Sequence, residues 1–273
     1  MRYPTTFGAV VTGAGSGLGR ALALDLAARG ARVLVSDIDP DGLAETVGLL
    51  AARGAEVHST PCDVAKWEDV QALARTAEET IGPVDVLCNN AGVAVGGTFE
   101  DVSLEDFRWC VEIDLWGVIY GCKAFLPGMR ERGRGWVLNV ASAAGLLSAP
   151  EMAAYNVSKT GVVSLTETLY AEYAGTGVKV SALCPTFFPT KILDSMRGPI
   201  DGRAQRTARK LMDRSALSAA DIARLGLDGL EKGELHIVPM RDGKLMWLFK
   251  RLRPQAFHDA LGPGRRGLIR FLK

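Results

Sequence analysis

Short apolar runs alternate with longer mixed stretches along most of this chain. Residues 7–11 (Phe-Gly-Ala-Val-Val) form an apolar run that meets a glycine cluster, a pattern that predicts a buried strand. Residues 21–29 follow with helical composition and stop at Gly30, a residue suited to close a helix because it tolerates positive φ. The alternation then repeats, with strands predicted at 32–36, 56–61, 84–88, 135–140 and 179–184. Helices are predicted at 41–52, 66–80, 103–130 and 154–174. Ser218 opens another helix, with Asp221 in place to complete a weaker form of the capping box, and 235–239 predicts a last strand. Strands that alternate with helices in this way imply an α/β fold with a parallel, doubly wound sheet. Without a linker, repeat or low-complexity tract, one domain is expected over residues 1–240.

Composition narrows the partners. The 273 residues are 48% hydrophobic and 23% charged, enough for a sizeable core. A formal charge of +1 argues against a nucleic-acid partner, which calls for a strong basic bias. That charge is unevenly spread. Residues 241–273 hold nine Lys and Arg against Asp242 and Asp259, about +7, which leaves about −6 for the rest. They are set apart as a basic C-terminal extension. Five cysteines, scattered and without CxxC spacing, predict buried free thiols in a reducing compartment and no metal site. The first residues do not read as a signal peptide and no apolar run reaches membrane-spanning length, so the expected location is the cytoplasm.

Candidate chemistry begins at the first strand-to-helix turn, Thr12-Gly13-Ala14-Gly15-Ser16-Gly17-Leu18-Gly19. Glycines there permit positive φ and close backbone approach, and a helix N-terminus attracts a pyrophosphate. The GxGxxG spacing does not fit; the usable pattern is TGxxxGxG, with Gly13, Ser16, Gly17, Leu18 and Gly19 as candidate contacts. Asp37 ends the second strand, 18 residues after Gly19. A carboxylate there accepts hydrogen bonds from adenosine ribose hydroxyls and repels a 2′-phosphate. No Arg or Lys lies between Val33 and Glu45, so NAD is expected over NADP. Strand, turn, helix and acid together predict a Rossmann-type nucleotide site.

Tyr155-Asn-Val-Ser-Lys159 places Tyr and Lys on one helix face. A phenol of pKa ~10 is a poor acid or base at neutral pH, and a nearby ammonium favours its phenolate. So tuned, Tyr155 can give or take a hydroxyl proton while hydride moves. Ser142 lies 13 residues earlier, beyond a strand, where its hydroxyl can hold the substrate oxygen. Such a Tyr–Lys pair is common by chance; the glycine turn, Asp37 and Ser142 give it meaning.

With these motifs in order, the chain resembles the short-chain dehydrogenase/reductase superfamily, in its common single-domain branch, over about residues 7–240. The resemblance implies that Asp63 and Val64 contact the adenine and that Asn90, Ala91 and Gly92 border the cofactor. It also implies nicotinamide contacts from Pro185 and Thr190, ribose contacts from Lys159, and a substrate lid at about 186–214. A dimer or tetramer through the helices at 103–130 and 154–174 is expected on the same ground. Two positions depart from the family pattern. Thr186 stands where Gly is usual, and Asp114 stands where the fourth catalytic residue is usually Asn. An ionised Asp only accepts hydrogen bonds, whereas Asn also donates. Asp114 could pair with Lys159 and weaken its pull on Tyr155, or support a proton-relay water unaided; the second is expected, because the other three residues are intact.

Val93, Leu146, Met152, Phe187, Phe188 and Met196, with Val95, Leu147, Ile192 and Leu193 near them in the motif order, predict an apolar substrate pocket. The expected function is hydride transfer between NAD(H) and a hydrophobic secondary alcohol or ketone. A catalytically impaired dinucleotide-binding regulator and a membrane-surface enzyme acting on lipid-like substrates are the alternatives. The lid cations Arg197, Arg203, Arg206, Arg209, Lys210 and Arg214 suit a solvated helix face, or recognition of a substrate acid or a CoA phosphate. The segment 245–253 interleaves aromatic residues with cations; it suits an anionic membrane surface, a neighbouring subunit or a cover over the substrate mouth.

Overall fold

The first apolar run forms β1 (Phe7–Thr12), and all of its residues are buried, as befits a parallel strand covered on both faces. β2 (Ala31–Asp37), β3 (Val57–Pro61), β4 (Val84–Asn89), β5 (Gly135–Val140), β6 (Val178–Leu183) and β7 (His236–Ile237) join it. The computed structural model describes residues 2–199 and 202–262. Within them the sheet is parallel, in the order β3-β2-β1-β4-β5-β6-β7. The chain reverses its winding between β1 and β4, and the carboxyl ends of these strands open a crevice of the kind that receives nucleotides.

Helices cover both faces. α1 (Gly17–Ala28), α2 (Pro40–Ala51) and α3 (Trp67–Ile81) follow the first three strands. α1 starts earlier than predicted, so Gly17 and Gly19 belong to its first turn. The helix predicted at 103–130 is α4 (Leu104–Val111) and α5 (Gly117–Glu131), joined by a π-helical turn (Glu112–Trp116). A short α6 (Ala143–Leu147), which no sequence signal announced, follows β5 and precedes α7 (Ala153–Glu172). The segment expected to form a lid, 186–214, contains α8 (Gly202–Asp213). α9 (Ala219–Lys232) carries the predicted capping box: Ser218 Oγ accepts from Asp221 N and the Asp221 carboxylate accepts from Ser218 N. The last strand contracts from the predicted 235–239 to two residues.

One apolar cluster lies between the sheet and α3, α5 and α7, and another between the sheet and α1, α2 and α9. All five cysteines are buried and free. The described part of the basic extension forms α10 (Arg241–Leu252) and α11 (Pro254–Leu261). α10 packs on α6, and Lys250 Nζ donates to Leu146 O at 2.9 Å and to Ser148 Oγ at 3.3 Å. Phe257 of α11 is only 1% exposed and belongs to the first cluster, edge-on to Phe249 at 6.0 Å. Arg265, Arg266, Arg270 and Lys273 lie outside the described residues. Truncating a fully buried Phe costs about 3–5 kcal/mol. Phe257→Ala is therefore expected to lower the unfolding free energy measured by urea titration by that amount; an unchanged midpoint would mean that α11 contributes nothing to the core.

Candidate active site

The carboxyl ends of β1, β4, β5 and β6 border a cavity of about 1740 Å³. Small-molecule pockets usually occupy ~300–1,000 Å³, so there is room for a dinucleotide and a second ligand. At one end lies the glycine turn. Gly13 has φ +64, and a Cβ there would come within 2.6 Å of Ala91 Cα. A Cβ on Gly19 would strike the Gly13 carbonyl. Asn90 staples this turn to the end of β4: its Nδ2 donates to Thr12 O at 2.9 Å and Gly13 O at 3.0 Å. Thr12 Oγ1 in return accepts from the backbone N–H of Asn90 and Ala91. Gly17 has φ +51 and faces Thr190, 3.9 Å from where its Cβ would stand. Ser16 makes no side-chain cap bond to α1, and no carboxylate occupies its first turn. The first N–H groups of α1 are thus left for an anion, as the pyrophosphate of a dinucleotide requires.

Asp37 stands at the end of β2 on the cavity wall. Gly15 N donates to its Oδ2 at 2.7 Å and Asp39 N to its Oδ1 at 3.0 Å, which fixes the carboxylate. A cation overlooked in the sequence lies near: Arg20 of α1, which pairs with Glu45 at 2.7 Å and donates to Thr46 Oγ1 at 2.9 Å. Its signal lay outside the interval between Val33 and Glu45, and its side chain is tied to α2 and, by a donation to Gly15 O, to the glycine turn. Ser16, Leu18, Asp63, Val64, Gly92, Pro185 and Thr190 also line the cavity, so every expected cofactor residue is gathered there. The Thr186 methyl lies 2.7 Å from where a Cβ on Gly243 would stand; a glycine in α10 makes room for it. Among the described residues no His, Cys, Asp and Glu cluster could hold a metal.

At the middle of the cavity are Ser142, Tyr155 and Lys159. Ser142 follows β5 and caps α6, its Oγ accepting from Ala144 N at 3.1 Å. Tyr155 and Lys159 lie one turn apart in α7, with Lys159 Nζ 5.7 Å from the Tyr155 ring centre. Lys159 Nζ also donates to Val140 O at 3.2 Å.

Asp114 takes the first of the two arrangements that the sequence left open, the pair with Lys159: its Oδ2 lies 3.3 Å from Lys159 Nζ, and it does not line the cavity. Both side chains are buried, so each charge needs the other in place of water. Asp114 Oδ1 accepts from Val93 N at 2.7 Å, and Oδ2 accepts from Ser158 Oγ at 3.4 Å. The π turn carries Asp114, and a Cβ on Gly92 would lie 3.1 Å from its Oδ1. Asp114 is therefore a positioning residue behind Lys159, and Ser158 joins the site; only its adjacency to Lys159 hinted at this.

The pair tunes the phenol. Burial pushes the Tyr155 pKa up, Lys159 pulls it down, Asp114 pushes it up and a hydrogen bond from Ser142 lowers it; the net direction is up. Burial disfavours the Lys159 ammonium, but Asp114 and Tyr155 outweigh it and raise its pKa. Burial also raises Asp114 above the ordinary carboxylate range, against Lys159 and the Val93 and Ser158 donors.

The other end of the cavity is apolar. Val93, Met152, Phe187, Phe188, Met196 and Leu147 line it, with Ile192 and Leu193. Leu146 does not: α6 turns it into the core, and its neighbour Leu147 takes the wall. Val95 is likewise buried away from the cavity. Arg197 lies over the Trp109 ring at 3.9 Å, and Arg209 pairs with Asp194 at 2.9 Å, while Arg214 reaches the cavity. Arg241, Asp242 and Met246 of α10 add a wall from the extension, so one face of this helix covers the mouth.

A family model described as short chain dehydrogenase matches residues 8–200. The chain is 35% identical over 269 residues to 1-deoxy-11-beta-hydroxypentalenate dehydrogenase of Streptomyces exfoliatus, covering 94% of each. A short-chain dehydrogenase/reductase from Burkholderia phymatum in complex with NAD superposes with TM-score 0.86 at 37% identity, over 92% of this chain and 95% of that one. A variant of actinorhodin polyketide ketoreductase with NADPH gives TM-score 0.77 at 31% identity, over 88% and 97%.

Asp114 bears on pH dependence. Alcohol oxidation needs the phenolate, so its rate rises with pH through the phenol pKa. Removing the carboxylate removes one cause of that raised pKa. For Asp114→Asn, as long as Lys159 stays charged without its partner, the rising limb of the oxidation profile is expected to move to lower pH. A limb that stays in place, measured with saturating cofactor and alcohol, would show that the carboxylate does not tune Tyr155.

Proposed function

The chain belongs to the short-chain dehydrogenase family, and from that membership we propose that it moves hydride between NAD(H) and a hydrophobic secondary alcohol or ketone. The observation that carries this proposal is the placing of Tyr155 and Lys159 in one cavity, between a glycine turn suited to a pyrophosphate and an apolar wall. When bound, the nicotinamide supplies the carbon that gives or accepts hydride. The protein's own residues handle the proton. Ser142 Oγ holds the substrate oxygen, and Tyr155 Oη takes the hydroxyl proton in oxidation or returns one in reduction. Lys159, kept charged by Asp114, favours the phenolate whenever the proton has left. The apolar wall excludes water from the reacting carbon.

Asp37 supports NAD: a 2′-phosphate would meet a fixed carboxylate, and Arg20 is occupied by Glu45. One relative is crystallised with NAD and another with NADPH, so this preference rests on Asp37 and Arg20. The relative named for 1-deoxy-11-beta-hydroxypentalenate supports an alcohol as the reduced substrate. Val93, Met152, Phe187, Phe188 and Met196 support a hydrophobic one. Exposed Leu104 and Trp116 on the α4–α5 side, with Val157 and Tyr170 on α7, support assembly into a dimer or tetramer. The cytoplasm is the proposed location; among the described residues no helix is long and apolar enough to cross a membrane.

Turnover is tested by NADH absorbance with a panel of hydrophobic and small polar ketones. Tyr155→Phe is expected to lose ~10²–10⁴-fold in kcat while NADH affinity is kept. Activity confined to small polar ketones would overturn the substrate class, and NADH binding without turnover on any ketone would favour a regulator. Asp37→Ser is expected to raise kcat/KM with NADPH at least tenfold relative to NADH; an unchanged ratio would remove Asp37 as the discriminator.

A further inference from the structure

We propose that the outer face of α10 docks on an anionic lipid surface. The helix is two-sided. Gly243, Met246, Trp247 and Lys250 turn inward, with Gly243 against Thr186 and Lys250 on the end of α6. Leu245, Leu248 and Leu252 turn outward and are 67%, 53% and 70% exposed, while Phe249, whose ring meets Phe257 edge-on, is 38% exposed. Their spacing puts all four on a single stripe. Lys244 and Arg251 flank the stripe, Arg241 opens the helix and Arg253 follows it, all four exposed. None of these cations pairs with a carboxylate among the described residues. The one carboxylate of α10, Asp242, belongs to the cavity wall and accepts from Gly243 N.

Charge decides the occupant. A second copy laid stripe to stripe would bring two sets of Arg241, Lys244, Arg251 and Arg253 together, with Asp242 the one carboxylate that each α10 offers against them. A bilayer with acidic headgroups receives the leucines at the acyl boundary and lets the long cationic side chains reach the phosphates. The described charges agree: residues 241–262 hold five Lys and Arg against Asp242 and Asp259, about +3, so a negative surface attracts this helix. Because Arg241, Asp242 and Met246 of the same helix border the cavity, docking brings the mouth beside the headgroups. A membrane-dissolved alcohol or ketone would then enter without crossing water. That consequence rests on the proposed substrate class; the docking does not.

The test is flotation of the full chain, with NADH, on vesicles of phosphatidylcholine alone or mixed equally with phosphatidylglycerol. Binding to the mixed vesicles only, weakened by salt, is expected. Two variants, Leu245→Ser/Leu248→Ser/Leu252→Ser and Lys244→Glu/Arg251→Glu, should each lose at least tenfold in bound fraction. Their NADH affinity and circular dichroism should match the unmodified protein, since these side chains lie outside the cavity. Absence of flotation by the unmodified protein overturns the proposal. So does a leucine variant that floats as well as the parent, or a fall in its solution mass by light scattering, which would make the stripe a subunit interface. None of these readouts needs a substrate, so failure of the docking is distinguishable from failure of the hydride-transfer reading.

Discussion

A buried ammonium requires compensation close at hand, and the centre of this protein is arranged around that requirement. Lys159 is out of water, and its charge is met by a carboxylate that is itself buried. Asp114 in turn takes hydrogen bonds from Val93 N and Ser158, and the neighbouring loop has a glycine where a side chain would crowd both charges. The π turn between α4 and α5 is the backbone's share in this arrangement. One hydrogen-bond ring is widened locally, in the manner that π turns at functional sites usually show. The Lys159–Asp114 contact thus links three segments, the loop after β4, the π turn and α7, into one electrostatic unit.

That unit explains how a phenol in a dry cavity can be both stable and useful. Burial alone would hold Tyr155 neutral, and Lys159 alone would draw it toward phenolate; Asp114 moderates the second effect. In the proposed reaction such a group would keep its proton until the substrate oxygen needs or offers one. Ser142 adds direction, because its place at the start of α6 is set by the end of β5.

Much of this was legible in the sequence, for identifiable reasons. β5 begins and ends where an apolar run meets glycine on one side and Ala-Ser on the other. The glycine turn, Asp37, Tyr155 and Lys159 were visible because spacing along the chain maps directly to spacing in a strand, a turn or a helix. What escaped depends on register or on distant packing. A π turn has no compositional signature, so Asp114 was placed near Lys159 but not against it. Without α6, Leu146 and Leu147 could not be told apart. Arg20 comes from another element, and the basic composition of residues 241–273 obscured the inward residues Gly243, Met246, Trp247 and Phe257.

Thr186 and Gly243 have a consequence for how this chain can change. The methyl of one fills the space that the other leaves empty, across 57 positions of sequence. A larger residue at 243 would press on Thr186 in the segment that follows β6, unless 186 shrank at the same time. Substitutions at positions sharing one space do not add independently. The two positions therefore share one space, and a side chain at 243 would require both a smaller residue at 186 and a shift of Val238, whose Cγ1 would lie 3.3 Å from the new Cβ.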